Sequence, residues 1–199
     1  MFGGTFDPPH VGHLVTAVNI GHLLDLDVVL LVVAGSPWQK EGTREITPAA
    51  DRLAMVVAAV AGVSRLEASS IEVDRPGPSY TADTLRALAG AHPGAEFYTV
   101  VGADAAALLP TWERYDEVLR LSRMVVVDRP GTTTDLPPLT DWIHVQVPHL
   151  DVSSTDLRAR VADGRPLDFL VPDAVQRVIV ERGLYGSGPH DASAEGVAS

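Results

Sequence analysis

The side chains of this chain best suited to chemistry lie in an eleven-residue run near the N-terminus, Gly3-Gly4-Thr5-Phe6-Asp7-Pro8-Pro9-His10-Val11-Gly12-His13. The two glycines have no Cβ, so a ligand can approach the backbone closely. Asp7 is placed to cap a helix whose first residue is Pro8. Such a helix puts His10 and His13 on one face, and Gly12 keeps bulk away from it. The run therefore predicts an anion site of imidazoles, backbone amides and a helix dipole, which suits a polyphosphate.

A second candidate motif, Ser153-Ser154-Thr155-Asp156-Leu157-Arg158, lies near the other end of the chain. Ser153 and Asp156 have the spacing of a capping box. Ser154 and Thr155 then offer hydroxyls and backbone N–H groups to an anion. Arg158 projects over the same end, and its planar fork suits phosphate oxygens. Taken alone, this pattern favours an ordinary capped helix with an arginine in its first turns.

Together the two motifs resemble the nucleotidyltransferase superfamily, in the form typical of bacterial nicotinate-mononucleotide adenylyltransferases. The resemblance implies that His10 and His13 contact the phosphates of ATP, with His13 supporting charge at the α-phosphate and the leaving pyrophosphate. It implies that Ser154, Thr155 and Arg158 bind the β- and γ-phosphates. The catalytic residues would be His10, His13 and Arg158. The implied ATP site also includes Gly3, Gly4, Thr5, Phe6, Gly102 and Asp104.

Three further segments resemble the family's acceptor site. Pro37-Trp38-Gln39-Lys40 follows a strand, and the resemblance implies that Lys40 binds substrate phosphate, with Arg44 adding positive charge nearby. The second segment is Ser79-Tyr80-Thr81-Ala82-Asp83-Thr84. Here Thr81 can cap a helix from residue 82 and leave backbone N–H groups for a nicotinate carboxylate. The implied mononucleotide-binding residues are Gly4, Lys40, Arg44, Tyr80, Thr81 and Trp112.

The third segment, Gly102-Ala103-Asp104 with Trp112, follows a strand as well. Gly102 allows close approach of a ligand. Asp104 could accept hydrogen bonds from a ribose diol, and Trp112 could stack on the pyridine ring. A tryptophan at this position would also be at home in the core.

The elements that must position these residues alternate along the chain. Apolar runs predict strands at 28–33, 66–73, 96–101, 124–127 and 143–147. Helices are expected at 11–24, 48–61, 82–91, a broken stretch 103–121, 154–162 and 172–182. This alternation predicts an α/β fold, a Rossmann-like doubly wound parallel sheet in a single domain, residues 1–185, with ligands at the carboxyl ends of the strands. Residues 129–141 read as a surface loop, and 186–199 as a disordered tail.

The composition limits the classes of function. The chain has 199 residues, a net charge of −11, and no basic stripe of the kind that nucleic-acid binders carry. No apolar run is long enough to cross a bilayer, and there is no secretory signal. The sequence has no cysteine, so disulfides and thiolate metal sites are excluded. A cytoplasmic protein without nucleic-acid or membrane partners is expected, and a homo-oligomer is compatible with the sequence.

One departure from the family concerns the first strand. The family normally has several strand residues before the two glycines, and here only Met1 and Phe2 precede them. This predicts either a start placed too far downstream, which we favour, or a shortened first strand. A shortened strand is expected to weaken the centre of the sheet.

The reaction implied by the resemblance is attack of the nicotinate mononucleotide phosphate on the α-phosphorus of ATP, giving deamido-NAD and pyrophosphate. Mg²⁺ would accompany ATP, and no metal-binding residues of the protein are expected. Three alternatives stay open at this point. They are a phosphopantetheine adenylyltransferase or other nucleotidyltransferase of the superfamily, a nucleotide sensor without catalysis, and a fragment of a tRNA synthetase.

Overall fold

The computed structural model describes residues 1–36, 46–128 and 135–186. Within them the strands are β1 (Phe2–Gly4), β2 (Val29–Val33), β3 (Leu66–Ser69), β4 (Tyr98–Gly102), β5 (Arg123–Asp128) and β6 (Ile143–Gln146). All neighbouring strands pair in parallel, in the order β3-β2-β1-β4-β5-β6. This is the strand order of a Rossmann-like sheet, with its switch point between β1 and β4. The predicted fold class is confirmed.

Seven α-helices connect or follow the described strands. They are α1 (Val11–Leu23), α2 (Ala49–Val60), α3 (Thr81–Ala91), α4 (Ala103–Ala107), α5 (Tyr115–Leu121), α6 (Ser154–Ala162) and α7 (Asp173–Glu181). Short 3₁₀ turns lie at Leu109–Thr111 and Leu184–Gly186. The broken helical stretch expected at 103–121 is thus α4, a 3₁₀ turn containing Pro110, and α5. No helix in the described part of the chain is long and apolar enough to span a membrane.

Both faces of the sheet are covered, and the alternation along β4 and β5 shows it. Val100 and Val125 pack with Ile20 of α1 on one face. Their neighbours Val101 and Val126 pack with the α3 and α5 side of the core. Successive side chains of a strand point to opposite faces, so strands buried on both sides become continuous apolar runs. This is why the runs of valine and leucine predicted the strands.

Some predicted boundaries need correction. The strand expected at 66–73 ends at Ser69, because residues 70–74 form a turn in which the Asp74 amide donates to the Ser70 carbonyl (2.8 Å) and the Ser70 hydroxyl donates to the Asp74 carboxylate (2.6 Å). Within the loop expected at 129–141, residues 135–141 are coil and turn. Residues 129–134, and 187–199 of the expected tail, lie outside the described residues.

The first strand is short and central. β1 pairs with β2 at three positions and with β4 at one, Phe2 with Val100. The Met1 amino group donates to the Tyr98 carbonyl, and its carbonyl accepts from the Val100 amide at 2.9 Å. Burial lowers the pKa of that amino group to about 5. Because β1 lies between β2 and β4, the glycine-rich motif lies at the middle of the sheet's carboxyl edge.

Candidate active site

The chain leaves β1 at Gly4 and reaches α1 at Val11 through a coil that holds the first motif. His10 is the N-cap of α1, with extended φ and ψ of −144° and 169°. The prediction that Asp7 caps a helix beginning at Pro8 is therefore wrong. Asp7 is instead turned inward and is 1% exposed, and its carboxylate accepts a hydrogen bond from the Tyr185 hydroxyl at 2.7 Å.

His10 and His13 do meet, as their spacing predicted. Their rings stack with centroids 3.7 Å apart and an interplanar angle of 29°. The His10 backbone amide donates to Nδ1 of His13 at 3.2 Å. Gly12 makes the arrangement possible, because a Cβ there would lie 3.0 Å from His10 Nδ1 and 3.1 Å from a Val152 methyl. The edge of Phe6 supports His13 from the other side, with centroids 5.0 Å apart.

The two histidines differ in their surroundings. His10 is buried, and burial lowers its pKa to about 4. Its Nδ1 is also buried and has no hydrogen-bond partner in the described part of the chain. His13 is half-buried. His10 is therefore neutral near pH 7, and it can offer a phosphate an N–H donor but no positive charge.

The second motif is attached directly to the first. Ser153 caps α6 by accepting from the Asp156 amide at 3.2 Å, as predicted. The Ser154 hydroxyl donates to the Pro8 carbonyl at 2.8 Å, across 146 residues of sequence. Arg158 donates to the Asp7 carbonyl at 2.7 Å and to the Thr155 hydroxyl at 3.3 Å. The N-terminal ends of α1 and α6 therefore lie side by side.

A cavity of about 330 Å³ opens at the carboxyl ends of β1 and β4. The side chains predicted to bind phosphate are not among its lining residues: His10, His13, Ser154, Thr155 and Arg158. Its lining includes seven of the residues predicted to bind substrates: Gly3, Gly4, Thr5, Tyr80, Thr81, Gly102 and Trp112. Parallel sheets of this type bind ligands at this edge, near the switch in strand order. The residues named from three separate sequence segments thus share one cavity.

The predicted start of α3, the helix at one side of the cavity, needs correction. α3 begins at Thr81, so its N-cap is Tyr80 and Thr81 is the first helical residue. No side chain caps this helix. The N-terminal turn still presents backbone N–H groups with the positive end of the dipole at the cavity wall.

Ion pairs connect α3 to α5 and to the residue before it. Arg114, which precedes α5, pairs with Asp83 of α3 at 2.7 Å. The hydrogen bond from Arg114 is the largest reason why the pKa of Asp83 lies below its ordinary value. Arg86 joins Asp83 and Glu117 at 3.2 Å and 2.6 Å. These pairs hold α3 and α5 together, and Trp112 lies just before α5.

Several predicted residues lie elsewhere. Phe6 is 2% exposed, so its side chain belongs to the core and its backbone alone is available to a ligand. Asp104 is exposed in the first turn of α4 and is not among the residues that line the cavity. Lys40 and Arg44 lie outside the described residues.

The structure also adds residues to which the sequence reasoning gave no role. The Ser79 hydroxyl accepts from the amides of Gly35 and Ser36, at 3.0 and 3.3 Å. Glu72 lines the cavity and accepts from Thr84 at 2.6 Å. Ser79 and Thr84 are the first and last residues of the motif that contains Tyr80 and Thr81, so this motif was the sequence feature that could have pointed to them.

Comparison with solved structures supports the fold. Nicotinic acid mononucleotide adenylyltransferase from Plasmodium falciparum, complexed with NaAD, superposes with a TM-score of 0.75, covering 94% of this chain and 96% of that protein at 18% identity. A putative nicotinate-nucleotide adenylyltransferase from Vibrio parahaemolyticus gives a TM-score of 0.66 at 21% identity, covering 94% of both chains.

Sequence comparison identifies the family. The family model for cytidylyltransferase-like proteins matches residues 1–160. A probable nicotinate-nucleotide adenylyltransferase from Corynebacterium kroppenstedtii is 45% identical over 93% of this chain and 89% of its own length. One from Geobacillus thermodenitrificans is 42% identical over 100% of this chain and 90% of its own length. The chain therefore belongs to the cytidylyltransferase-like family and, within it, to the nicotinate-nucleotide adenylyltransferases.

Proposed function

We propose that this family member joins nicotinate mononucleotide to the adenylyl group of ATP, giving deamido-NAD and pyrophosphate in NAD biosynthesis. One observation carries the proposal. The helix ends that bear the two phosphate-type motifs are hydrogen-bonded to each other through Ser154 and Arg158. The first motif continues from Gly3, Gly4 and Thr5, and these three residues line a cavity together with Tyr80, Thr81 and Trp112, which are expected to bind the pyridine nucleotide.

The reaction needs no covalent intermediate. A phosphate oxygen of nicotinate mononucleotide attacks the α-phosphorus of ATP, and a new P–O bond forms. The bond from that phosphorus to the oxygen bridging to the β-phosphate breaks in line, and pyrophosphate leaves with the oxygen. Catalysis of this kind rests on positioning and on electrostatic stabilisation of the transition state.

The ATP phosphates are assigned to the junction of the two helices. The first-turn amides of α6, including that of Ser154, and the Thr155 hydroxyl face an anion together with the positive end of the helix dipole, while the Ser154 hydroxyl donates to the Pro8 carbonyl. Arg158 supplies charge that opposes the developing negative charge on the α-phosphate and the leaving group. His13, whose Nδ1 accepts the His10 amide, carries its proton on Nε2 and donates it to the same phosphates. His10, neutral and buried, contributes an N–H donor rather than a charge.

The remaining contacts to ATP involve the edges of β1 and β4. Gly3, Gly4, Thr5 and the Phe6 backbone offer close approach along the first strand. Gly102 does the same after β4, and Asp104 is assigned to the ribose diol.

The mononucleotide is assigned to the cavity. The amides at the start of α3, at Tyr80 and Thr81, suit a carboxylate better than a neutral amide, because an anion gains from the helix dipole. Trp112 stacks on the pyridine ring. Gly4 lets the ligand approach β1, and Lys40 and Arg44 bind its phosphate.

Mg²⁺ enters as part of the Mg·ATP substrate, coordinated mainly by phosphate oxygens and water, and it lowers the charge that the attacking phosphate meets. Both substrates are highly charged and do not cross bilayers unaided, so we place the enzyme in the cytoplasm. The proposal requires no nucleic-acid or membrane partner and is compatible with a homo-oligomer.

Tracing a label tests the proposal. Protein is incubated with nicotinate mononucleotide, Mg²⁺ and ATP labelled at either the α- or the γ-phosphate. We expect the α-label in deamido-NAD and the γ-label in pyrophosphate. Binding of ATP without transfer of either label would identify a sensor instead of an enzyme, and α-label released as AMP would indicate hydrolysis.

A further inference from the structure

A charged side chain is buried in the apolar face of α2. Arg52 is 1% exposed, and it lies on the same side of the helix as Met55, Val56 and Ala59, which are all buried. Burying a guanidinium costs several kcal/mol unless its donors are satisfied. An arginine that stays at such a position has specific hydrogen bonds to offset that cost.

The Arg52 guanidinium donates to the carbonyls of three separate chain segments. Its Nε–H reaches the Thr47 carbonyl at 2.7 Å, one terminal nitrogen reaches that of Thr5 at 2.9 Å, and the other reaches that of Gly35 at 3.2 Å. A planar fork with five fixed donors can hold three acceptors in one arrangement. The three carbonyls are thus tied together by one rigid group.

Two of the three carbonyls, those of Gly35 and Thr47, belong to the acceptor side of the site, and the third belongs to Thr5, which is also assigned a contact with ATP. Thr5 lines the cavity just after β1. Gly35 follows β2, and Thr47 precedes α2. These last two flank residues 37–45 in the sequence, which include Lys40 and Arg44.

The Gly35 peptide is held from two directions. Its carbonyl accepts from Arg52, and its amide donates to the Ser79 hydroxyl at 3.0 Å. Ser79 lines the cavity next to Tyr80 and Thr81. A Cβ at Gly35 would lie 2.2 Å from the Glu72 carbonyl oxygen, so this position admits glycine alone. Arg52 is therefore connected to the Tyr80-Thr81 wall through one peptide and one hydroxyl.

We infer that Arg52 is a positioning residue. By hydrogen bonding to the carbonyls of Thr5, Gly35 and Thr47, it fixes the positions of these three segments relative to one another on the acceptor side of the site. This inference rests on the proposed function, since the acceptor is taken to be nicotinate mononucleotide. The part of the site assigned to ATP is held by other hydrogen bonds, those from Ser154 and Arg158 to the first motif. Loss of the fork should therefore affect the acceptor more than ATP.

The test compares Arg52→Lys and Arg52→Gln with the intact protein. Lysine keeps the charge, but a single nitrogen cannot reach three separated carbonyls. We expect both variants to raise KM for nicotinate mononucleotide at least tenfold, with KM for ATP changed less than threefold. Arg182→Gln is the matched control. Arg182 forms an ion pair at 2.6 Å with Asp51, the neighbour of Arg52 in α2, so this variant removes an arginine contact to the same helix on its exposed side.

Hydrogen exchange gives a second measurement that does not depend on substrate. Amides of residues 34–36, 46 and 47 should exchange at least tenfold faster in Arg52→Lys, with α5 and β6 within twofold of the intact protein. Wild-type KM and exchange in Arg52→Lys would overturn the inference. So would uniformly faster exchange with equal rises in both KM values, which indicates a general structural role. If the intact protein does not turn over nicotinate mononucleotide, the proposed function fails and the exchange result alone decides the role of Arg52.

Discussion

His10 and His13 show how position gives two identical side chains different chemical roles. The rings are stacked, yet the buried His10 has its pKa lowered to about 4, whereas His13 is half-buried. Because Nδ1 of His13 accepts the His10 amide, the ring carries its proton on Nε2 and can donate it to a phosphate oxygen, so we assign the larger catalytic role to this more exposed histidine. His10 gives a neutral donor and fixes the plane on which His13 rests.

Replacing His13 by alanine tests this division of roles. We expect kcat to fall by about 10²–10³-fold, the usual effect of removing one group that stabilises a transition state. KM for nicotinate mononucleotide should change by less than about threefold. Steady-state kinetics measures both, with His22→Ala, an exposed histidine of the same helix, as the control. An unchanged kcat with a large change in KM would show that His13 binds ground states alone.

The lowered pKa of His10 predicts an acid-dependent loss of stability. The unfolded chain takes up a proton at this residue below pH 6.5, whereas the folded chain does not until about pH 4. The unfolding free energy therefore falls as the pH drops through this window, by about 2–3 kcal/mol from this group. Urea titrations at pH 7 and 4.5 should show a smaller loss for His10→Gln than for the wild type. Equal losses would contradict the burial of a neutral His10.

Trp112 tests the acceptor assignment at a single residue. Its ring lines the cavity and packs against the core, and its Nε1 is buried with no hydrogen-bond partner in the described part of the chain. Trp112→Ala should raise KM for nicotinate mononucleotide about tenfold through loss of stacking, and should leave the Kd for ATP within about threefold. Calorimetric titration with ATP is the internal control. Loss of ATP binding would refute the stacking role.

At the scale of elements, the 3₁₀ turn Leu184–Gly186 fastens the end of the described chain to the first motif. The Tyr185 hydroxyl donates to Asp7 at 2.7 Å, and its pKa is raised, first by burial and then by the nearby Asp7 charge. The hydroxyl therefore remains a donor at all working pH values. It stabilises the coil through which the chain passes from β1 to His10.

Tyr185→Phe removes the hydrogen bond to Asp7, together with the hydroxyl's hydrogen bond with Thr47 and its contact with Met55 Sδ at 3.8 Å. Because the acceptor is a buried carboxylate, we expect the unfolding free energy to fall by about 2 kcal/mol. Chemical denaturation measures it, and Tyr98→Phe, whose hydroxyl receives a long 3.4 Å contact from an exposed arginine, should cost less than about 0.5 kcal/mol. A loss for Tyr185→Phe no larger than that of the control would show that the contact adds nothing to the fold.

Elements with a clear periodic pattern were predictable, and local contacts with distant partners were not. The strands β2 to β6 and the helices α1, α2, α6 and α7 follow from apolar runs and spacing, whereas β1 was expected only from the family resemblance. The predicted cap at Asp7 failed because Tyr185, 178 residues away, binds that carboxylate. Arg52 left a trace in the sequence, a charge on the apolar face of a helix, but its three carbonyl partners are set by the tertiary fold.

At the scale of the molecule, the parallel sheet explains how separate segments form one site. The ends of β1, β3 and β4 and the segments that follow them bring residues 3–5, 79–81, 102 and 112 to one edge, and α6, which follows β6, adds the second motif. The family resemblance indicated the roles of the site residues, and the strand order explains why they lie at one edge of the sheet. With a net charge of −11, the protein as a whole repels its anionic substrates, so the local positive groups and helix ends must overcome that field.

The most direct test of the account is a comparison of acceptors. Protein with ATP and Mg²⁺ receives nicotinate mononucleotide, nicotinamide mononucleotide or 4′-phosphopantetheine, and pyrophosphate and the adenylylated product are both quantified. The amides at the start of α3 predict the largest kcat/KM for nicotinate mononucleotide, since it alone brings a carboxylate to them. Turnover confined to phosphopantetheine, or equal turnover of the nicotinate and nicotinamide nucleotides, would contradict the account.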